Sequence, residues 1–328
     1  MKMEMNSRNL RFLSRMGARG AFGQAVYDMA KSGEDFFAAS ADLGHASGFD
    51  RLIKEFPEKY VNVGIAEQNL LGVAAGLAKD GTPVVATTWA PFASMRCADQ
   101  VRNYMGYMNL NIKLVGLDSG MIQSSFGGSH YGIEDLAVMR SIPNLMILSP
   151  CDGQEIYQAV WSMMRHNGPV YLRLTGGGVL PVIHKEATDF VIGEPEILKP
   201  EGDILLLATG TIMQETLKAA ELLLKENIKC AVANIHTIKP FDLKKLDFTE
   251  RYSLIVTVEE HSIYGGLGGM VAEALALREK KPPHLILGIP DCFPHPGTYE
   301  YVLDSCGLTA EKLAGQVENM WMRRRGIQ

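Results

Sequence analysis

The feature that most constrains the fold is alternation, because strand-length apolar runs and helix-length amphipathic runs follow one another along nearly the whole chain. In the first half, residues 36–40, 84–88, 112–117, 146–149 and 170–174 read as short buried strands. Residues 20–31, 93–105 and 154–165 carry apolar side chains at helical spacing. In the second half 204–208, 229–235, 254–258 and 284–289 read as strands, with helices at 212–226, 267–278 and 310–322. The pattern predicts an α/β fold of two domains, each a mostly parallel sheet flanked by helices. Residues 175–200, with three consecutive glycines and several prolines, break the rhythm. The expected division is therefore 1–180, a linker at 181–200, and 201–328.

Within the alternation, 61–68 is an apolar strand-like run whose end delivers one carboxylate, Glu67, to the start of a helix. Ala66, Leu70, Val73, Ala74, Leu77 and Ala78 repeat at helical spacing, so Glu67 begins beside a buried face. A carboxylate there is costly unless it is protonated, hydrogen-bonded or paired. On its own it reads as a structural ion pair. Residues 41–45, ending in His45, fall where a parallel strand would end, which is where open α/β sheets place ligands.

A net charge of -5 argues against nucleic acid or an anionic membrane as the main partner. No apolar run approaches the length of a membrane span, and the basic N-terminus lacks a signal-peptide core, so the expected location is the cytoplasm. Five scattered cysteines without a paired spacing suggest free thiols. Arg323, Arg324 and Arg325 close the last helix, where cations suit the dipole.

Four motifs in order carry a resemblance: Gly64-Ile65-Ala66-Glu67-Gln68, Thr87-Thr88-Trp89-Ala90-Pro91-Phe92, Gly128-Ser129-His130, and Arg140-Ser141-Ile142-Pro143-Asn144. Together they resemble the pyrimidine-binding domain of transketolase-type thiamine diphosphate enzymes, and the chain from about Lys199 is similar to that family's C-terminal domain. The resemblance implies that Glu67 activates the cofactor's aminopyrimidine, that Trp89 and Phe92 form its aromatic bed, and that His130 hydrogen-bonds the donor ketose near its carbonyl. It further implies transfer of a two-carbon ketol unit from a ketose to an aldose.

The family binds diphosphate and Mg2+ through Gly-Asp-Gly followed by an Asn. Here the nearest text, Asp80-Gly81, follows Lys79 and reads as a helix-ending turn. The resemblance therefore implies the second subunit of a split transketolase. An N-terminal partner would hold the diphosphate and metal, in a heterotetramer of two plus two. Where the family often has a histidine near the sugar phosphate this chain has Asp118, and where it usually has an acid contacting substrate hydroxyls it has Phe126. Arg173 matches a family phosphate-binding arginine and Arg19 is a weaker match, so a phosphorylated sugar stays open while Asp118 and Phe126 point to an altered or unusual sugar pair. The glycines at 265–269 read as a tight strand-to-helix turn, with an anion site at the helix start as a second option, and His261 reads as structural or interfacial. Competing readings are the beta subunit of a 2-oxo acid dehydrogenase, the related deoxyxylulose-phosphate synthase, and a non-catalytic interaction subunit of the same fold.

Overall fold

The computed structural model describes residues 2–326, with the side chains of 243 and 246–248 outside the description. Twelve strands appear among these residues: β1 (Phe37–Ser40), β2 (Tyr60–Asn62), β3 (Val84–Trp89), β4 (Ile112–Leu117), β5 (Met146–Leu148), β6 (Val170–Arg173), β7 (Glu196–Lys199), β8 (Ile204–Thr209), β9 (Cys230–Asn234), β10 (Thr237–Lys239), β11 (Leu254–Ser262) and β12 (His284–Ile289). One sheet has seven strands in the order β10-β5-β6-β4-β3-β1-β2, and the other has five in the order β12-β11-β8-β9-β7. Within each sheet one edge strand, β10 or β7, pairs antiparallel, and the other pairings are parallel. The expected pair of mostly parallel sheets is what the chain forms.

Parallel strands buried on both faces must be apolar throughout, and β4, β5, β8 and β9 are buried at every position. Helix Glu67–Lys79 lays Leu70, Leu71, Ala74, Ala75 and Ala78 into the core beside β1 and β3, while Val73 and Leu77 are half-buried. It stops at Asp80-Gly81, where Gly81 takes φ +98°, so the Asp-Gly pair is the helix-ending turn that its context suggests.

Four details differ from the sequence reading. The first helix starts at Ser7, not Gly20, and is broken by Gly17 at φ +72°. A Cβ at Gly17 would lie 2.2 Å from the Gly178 carbonyl oxygen, so this glycine lets the Gly-rich segment cross the helix. The helix expected at 93–105 is instead two wide π turns, Phe92–Arg96 and Val101–Tyr107, around the short α segment Ala98–Gln100. Strand β7 lies inside the segment read as linker, and β10 leaves the second half of the chain to complete the first sheet. Both are edge strands of three or four residues, too short for a periodic signal.

A buried histidine also staples the two halves. His184 donates from Nδ1 to Asp152 Oδ2 and from Nε2 to Glu196 Oε2, both at 2.8 Å. Asp152 caps helix Gly153–Arg165 and Glu196 lies on β7, so the imidazolium joins the two sheets' surroundings. Burial alone would lower the His184 pKa, but these two carboxylates outweigh it and raise it to about 10. A raised folded-state pKa means that the stabilisation is full below the unfolded value of roughly 6.5 and is lost as pH rises through 10. His184→Gln should therefore lower the urea midpoint most below pH 6.5, with the gap to the parent closing toward pH 10; a gap that widens with pH would contradict the staple.

Candidate active site

Because β1 to β4 and β6 run parallel, their carboxyl ends share one edge of the first sheet. β2 lies on one side of β1 and β3 on the other, and open α/β sheets place ligands at such strand ends. The chain leaving β1 carries His45, that leaving β2 carries Glu67, that leaving β3 carries Phe92, and that leaving β4 carries Asp118 and the loop to His130.

Asn62, at the end of β2, fixes the start of this arrangement. Its Oδ1 accepts from the Gly64 N–H at 2.9 Å and the Asp42 N–H at 3.0 Å, tying the β1 and β2 exits together. Gly64 then takes φ +73°, and Ala66 enters the helix without a side-chain cap. Glu67 occupies the first helical position, where the helix dipole favours an anion, and is 6% exposed. Its neighbour Ile65 is 80% exposed, so the apolar run does not bury itself completely.

The buried carboxylate has a partner that the sequence reading missed. Arg96 Nη1 donates to Glu67 Oε1 at 2.6 Å, and the Arg96 guanidinium carbon lies 3.9 Å from the centroid of the Phe92 ring. The π turn Phe92–Arg96 brings both residues to Glu67, and Gln68 Nε2 donates to the Arg96 carbonyl at 3.0 Å. His130 packs edge-on against Phe92 at 5.4 Å between ring centroids, and the exposed Phe126 ring lies 5.0 Å from His130. Glu67, Arg96, Phe92, His130 and Phe126 thus form one continuous set of contacts.

The loop carrying His130 is closed by reciprocal 2.9 Å hydrogen bonds between Gly120 and Gly132. The second domain braces it from below, since Glu260 on β11 accepts from the Met121 N–H at 2.6 Å and the Tyr299 hydroxyl at 2.8 Å. Burial pushes the Glu260 carboxyl up, and those two donors pull it back. Ser129 Oγ lies 3.0 Å from His130 Nδ1 at the exposed tip.

A second group gathers beside the first. Asp118, 3% exposed and at φ +50°, sits 3.5 Å from Arg19 Nε and accepts from Gln123 Nε2 at 2.5 Å. Burial raises its pKa while Arg19 and Gln123 lower it. The Arg19 guanidinium lies 5.7 Å over Trp89, and Trp89 packs against the core that includes the first helix. His45 is exposed and pairs with Asp50 at 2.8 Å.

Arg173 does not reach the crevice. Its side chain is fully buried, with Nε donating to both Asp135 oxygens at 2.9 and 3.0 Å and Nη2 donating to the Glu260 carbonyl at 2.8 Å. Asp135 also accepts from the Tyr171 hydroxyl at 2.8 Å. A guanidinium fully desolvated requires a carboxylate, and this one is neutralised inside the interface of the two domains. The sequence placed it at a strand end correctly but could not show that its charge was spent on Asp135. Among the described residues Nη1 alone of its nitrogens has no hydrogen-bond partner.

The start of helix Leu267–Ala276 is likewise filled from within. Glu259 accepts from the Leu267 and Gly268 N–H groups at 2.7 and 2.8 Å, and burial lifts its pKa to about 7. A Cβ on Gly266 would lie 1.9 Å from Glu259 Oε2, so the glycines serve this close approach and the carboxylate takes the place an anion would need. His261 is fully buried, donates from Nδ1 to the Ser262 carbonyl at 2.8 Å, and is held neutral by burial, which lowers its pKa to about 4. It is structural, as its sequence context suggests.

An aromatic ring and a helix-start carboxylate side by side are groups that suit an aminopyrimidine, and the Arg96 that pairs with the carboxylate is half-exposed. The residues do not suit a diphosphate with its metal. Among the described residues the convergent sets of possible metal ligands are Cys151, Asp152 and His184, and Glu155, His184 and Glu196, none of them in the crevice groups above.

Fold and placement define an α/β protein of two mostly parallel sheets with its candidate residues at the strand ends of the first. Residues 14–178 match the family model "Transketolase, pyrimidine binding domain", and residues 193–313 match "Transketolase, C-terminal domain". The chain is 35% identical to a putative transketolase C-terminal section of Methanocaldococcus jannaschii, covering 92% of this chain and 95% of that one. It is also 35% identical to the 6-deoxy-6-sulfo-D-fructose transketolase subunit SqwH of Clostridium sp. (strain MSTE9), covering 93% and 95%. A solved split-gene transketolase, described as an inactive beta4 tetramer, superposes with a TM-score of 0.82 at 34% identity, over 93% of this chain and 97% of that one. The chain belongs to the transketolase family, whose members depend on thiamine diphosphate.

If Arg173 is structural, removing its counter-ion should cost stability. Asp135→Ala is expected to destabilise the chain by about 3–5 kcal/mol in urea unfolding, because it leaves a buried guanidinium unpaired. A change below about 1 kcal/mol would return Arg173 to the list of residues free to bind substrate.

Proposed function

We propose that this chain is the pyrimidine-side subunit of a cytoplasmic two-polypeptide transketolase that moves a two-carbon ketol unit from a ketose to an aldose. The observation that carries the reading is a half-site: Glu67 is buried at a helix start beside Phe92 and His130, while Ile65, Met95 and Phe126 stand exposed around it. Exposed apolar side chains at the mouth of a crevice suit a covering polypeptide. The partner we infer is an N-terminal subunit carrying the diphosphate and Mg2+ site, in a two-plus-two assembly.

Thiamine diphosphate, when bound, supplies the nucleophilic carbon that carries the two-carbon unit. In this reading Glu67 accepts a hydrogen bond from the pyrimidine and stabilises its proton-shifted form. Phe92 offers a flat apolar surface that orients the ring and excludes water. His130, on a loop braced by the second domain, exchanges a proton with the sugar oxygens near the reacting carbon. Trp89 contributes to the wall behind Arg19 and Asp118.

The sugar pair is proposed to differ from ordinary pentose phosphates. Asp118 and Phe126 replace the residues that usually meet phosphate and hydroxyls, Arg173 is buried, and Arg19 already faces Asp118. His45, exposed at the same strand edge, is available to a substrate or to the partner.

The complex captured from its native source through a tagged chain should turn over ketoses when thiamine diphosphate and Mg2+ are added. Glu67→Gln keeps size and hydrogen bonding but removes the charge, and should lower kcat by about 10²- to 10⁴-fold. Undiminished turnover would overturn the assignment. Equal rates across pentose phosphates and every other pair in a sugar panel would overturn the specificity part alone.

A further inference from the structure

Arg96 is a charged side chain in contact with both Glu67 and the Phe92 ring, and no step above uses it. Its guanidinium is flat, donates to the carboxylate at 2.6 Å and lies face-on to the aromatic ring at 3.9 Å. Those two contacts are the pair that the proposed function gives to the cofactor's aminopyrimidine. One planar nitrogen-rich group cannot lie on that face while another does. We propose that Arg96 is a stand-in for the pyrimidine: it holds Glu67 in the unloaded subunit and must swing away before the cofactor can enter. This inference rests on the functional reading above and adds a gate to it.

The surroundings permit the swing. The Arg96 side chain is 46% exposed, whereas Glu67 is 7% exposed, so the cation can return to water and the anion cannot. A buried carboxylate without a partner is costly, so an unloaded subunit needs such a cation. Within the π turn Ala93 and Ser94 are buried while Met95 is exposed, and Ser94 Oγ donates to the Ala90 carbonyl at 2.8 Å. The backbone therefore stays fixed while the long side chain turns about its own bonds. A half-exposed ion pair with a cation–π contact is weak enough to be displaced yet strong enough to reduce cofactor affinity about tenfold.

The test has two parts. In the captured complex, titration of thiamine diphosphate at saturating Mg2+ is followed by quenching of tryptophan fluorescence. Arg96→Met keeps the chain length and removes both the charge and the flat donor, and is expected to lower the cofactor Kd by about five- to tenfold. Arg96→Lys, which keeps the charge without the planar fork, should fall between. An Arg96→Met Kd equal to or above the parent's would overturn the gate and make Arg96 a permanent support for Glu67. In the free full-length chain, Arg96→Met and Glu67→Gln should each lower the thermal midpoint, and the double variant should fall less than the sum. Strict additivity would show that the two side chains do not meet in solution. A parent complex that takes up no thiamine diphosphate would sink the functional reading, whereas a parent that binds it and an Arg96→Met that binds no better would sink the gate alone.

Discussion

A carboxylate buried at a helix start cannot stand alone, and the architecture around Glu67 follows from that requirement. Parallel strands bring their carboxyl ends to one edge, Asn62 joins two of those exits, and the helix from Glu67 to Lys79 anchors its apolar stripe in the core. The dipole of that helix and a cation from the neighbouring π turn then meet the charge. What is left over is an aromatic face, a loop histidine and an open mouth. In the proposed reading these groups meet the heterocycle of the cofactor, and the diphosphate falls to the partner.

The second domain acts through rigidity. Two neighbouring acids on β11 face different tasks: Glu259 caps a helix within its own domain, while Glu260 reaches across to the loop that holds His130. Arg173 binds Asp135 and the Glu260 carbonyl together, so the strand end of the first sheet and the acid of the second share one buried network. A rigid floor beneath a glycine-rich loop lets a half-buried histidine keep its position.

Much of this was legible in the sequence because long-range order left local traces. The stripe Leu70, Ala74, Ala78 announced a core-facing helix, and the ordered motifs from Gly64 to Asn144 announced the family. Edge strands β7 and β10 left no trace, since three or four residues cannot show a period and their pairing is with distant chain. Arg173 shows the limit at the level of one residue: a strand-end arginine looks the same whether it faces a phosphate or an aspartate. Arg96 was silent for the opposite reason. Only a π turn, which no propensity scale announces, carries it onto Phe92 and Glu67.

The central claim is that Glu67 meets a heterocycle whose phosphate tail is held by another polypeptide. The most direct measurement is a crystal structure of the chain with its captured partner, thiamine diphosphate and Mg2+. The account predicts the Glu67 carboxylate about 2.6–3.2 Å from a pyrimidine nitrogen at the subunit boundary, with the diphosphate and metal on partner residues. A cofactor held entirely by one chain, or a Glu67 remote from any boundary, would contradict it.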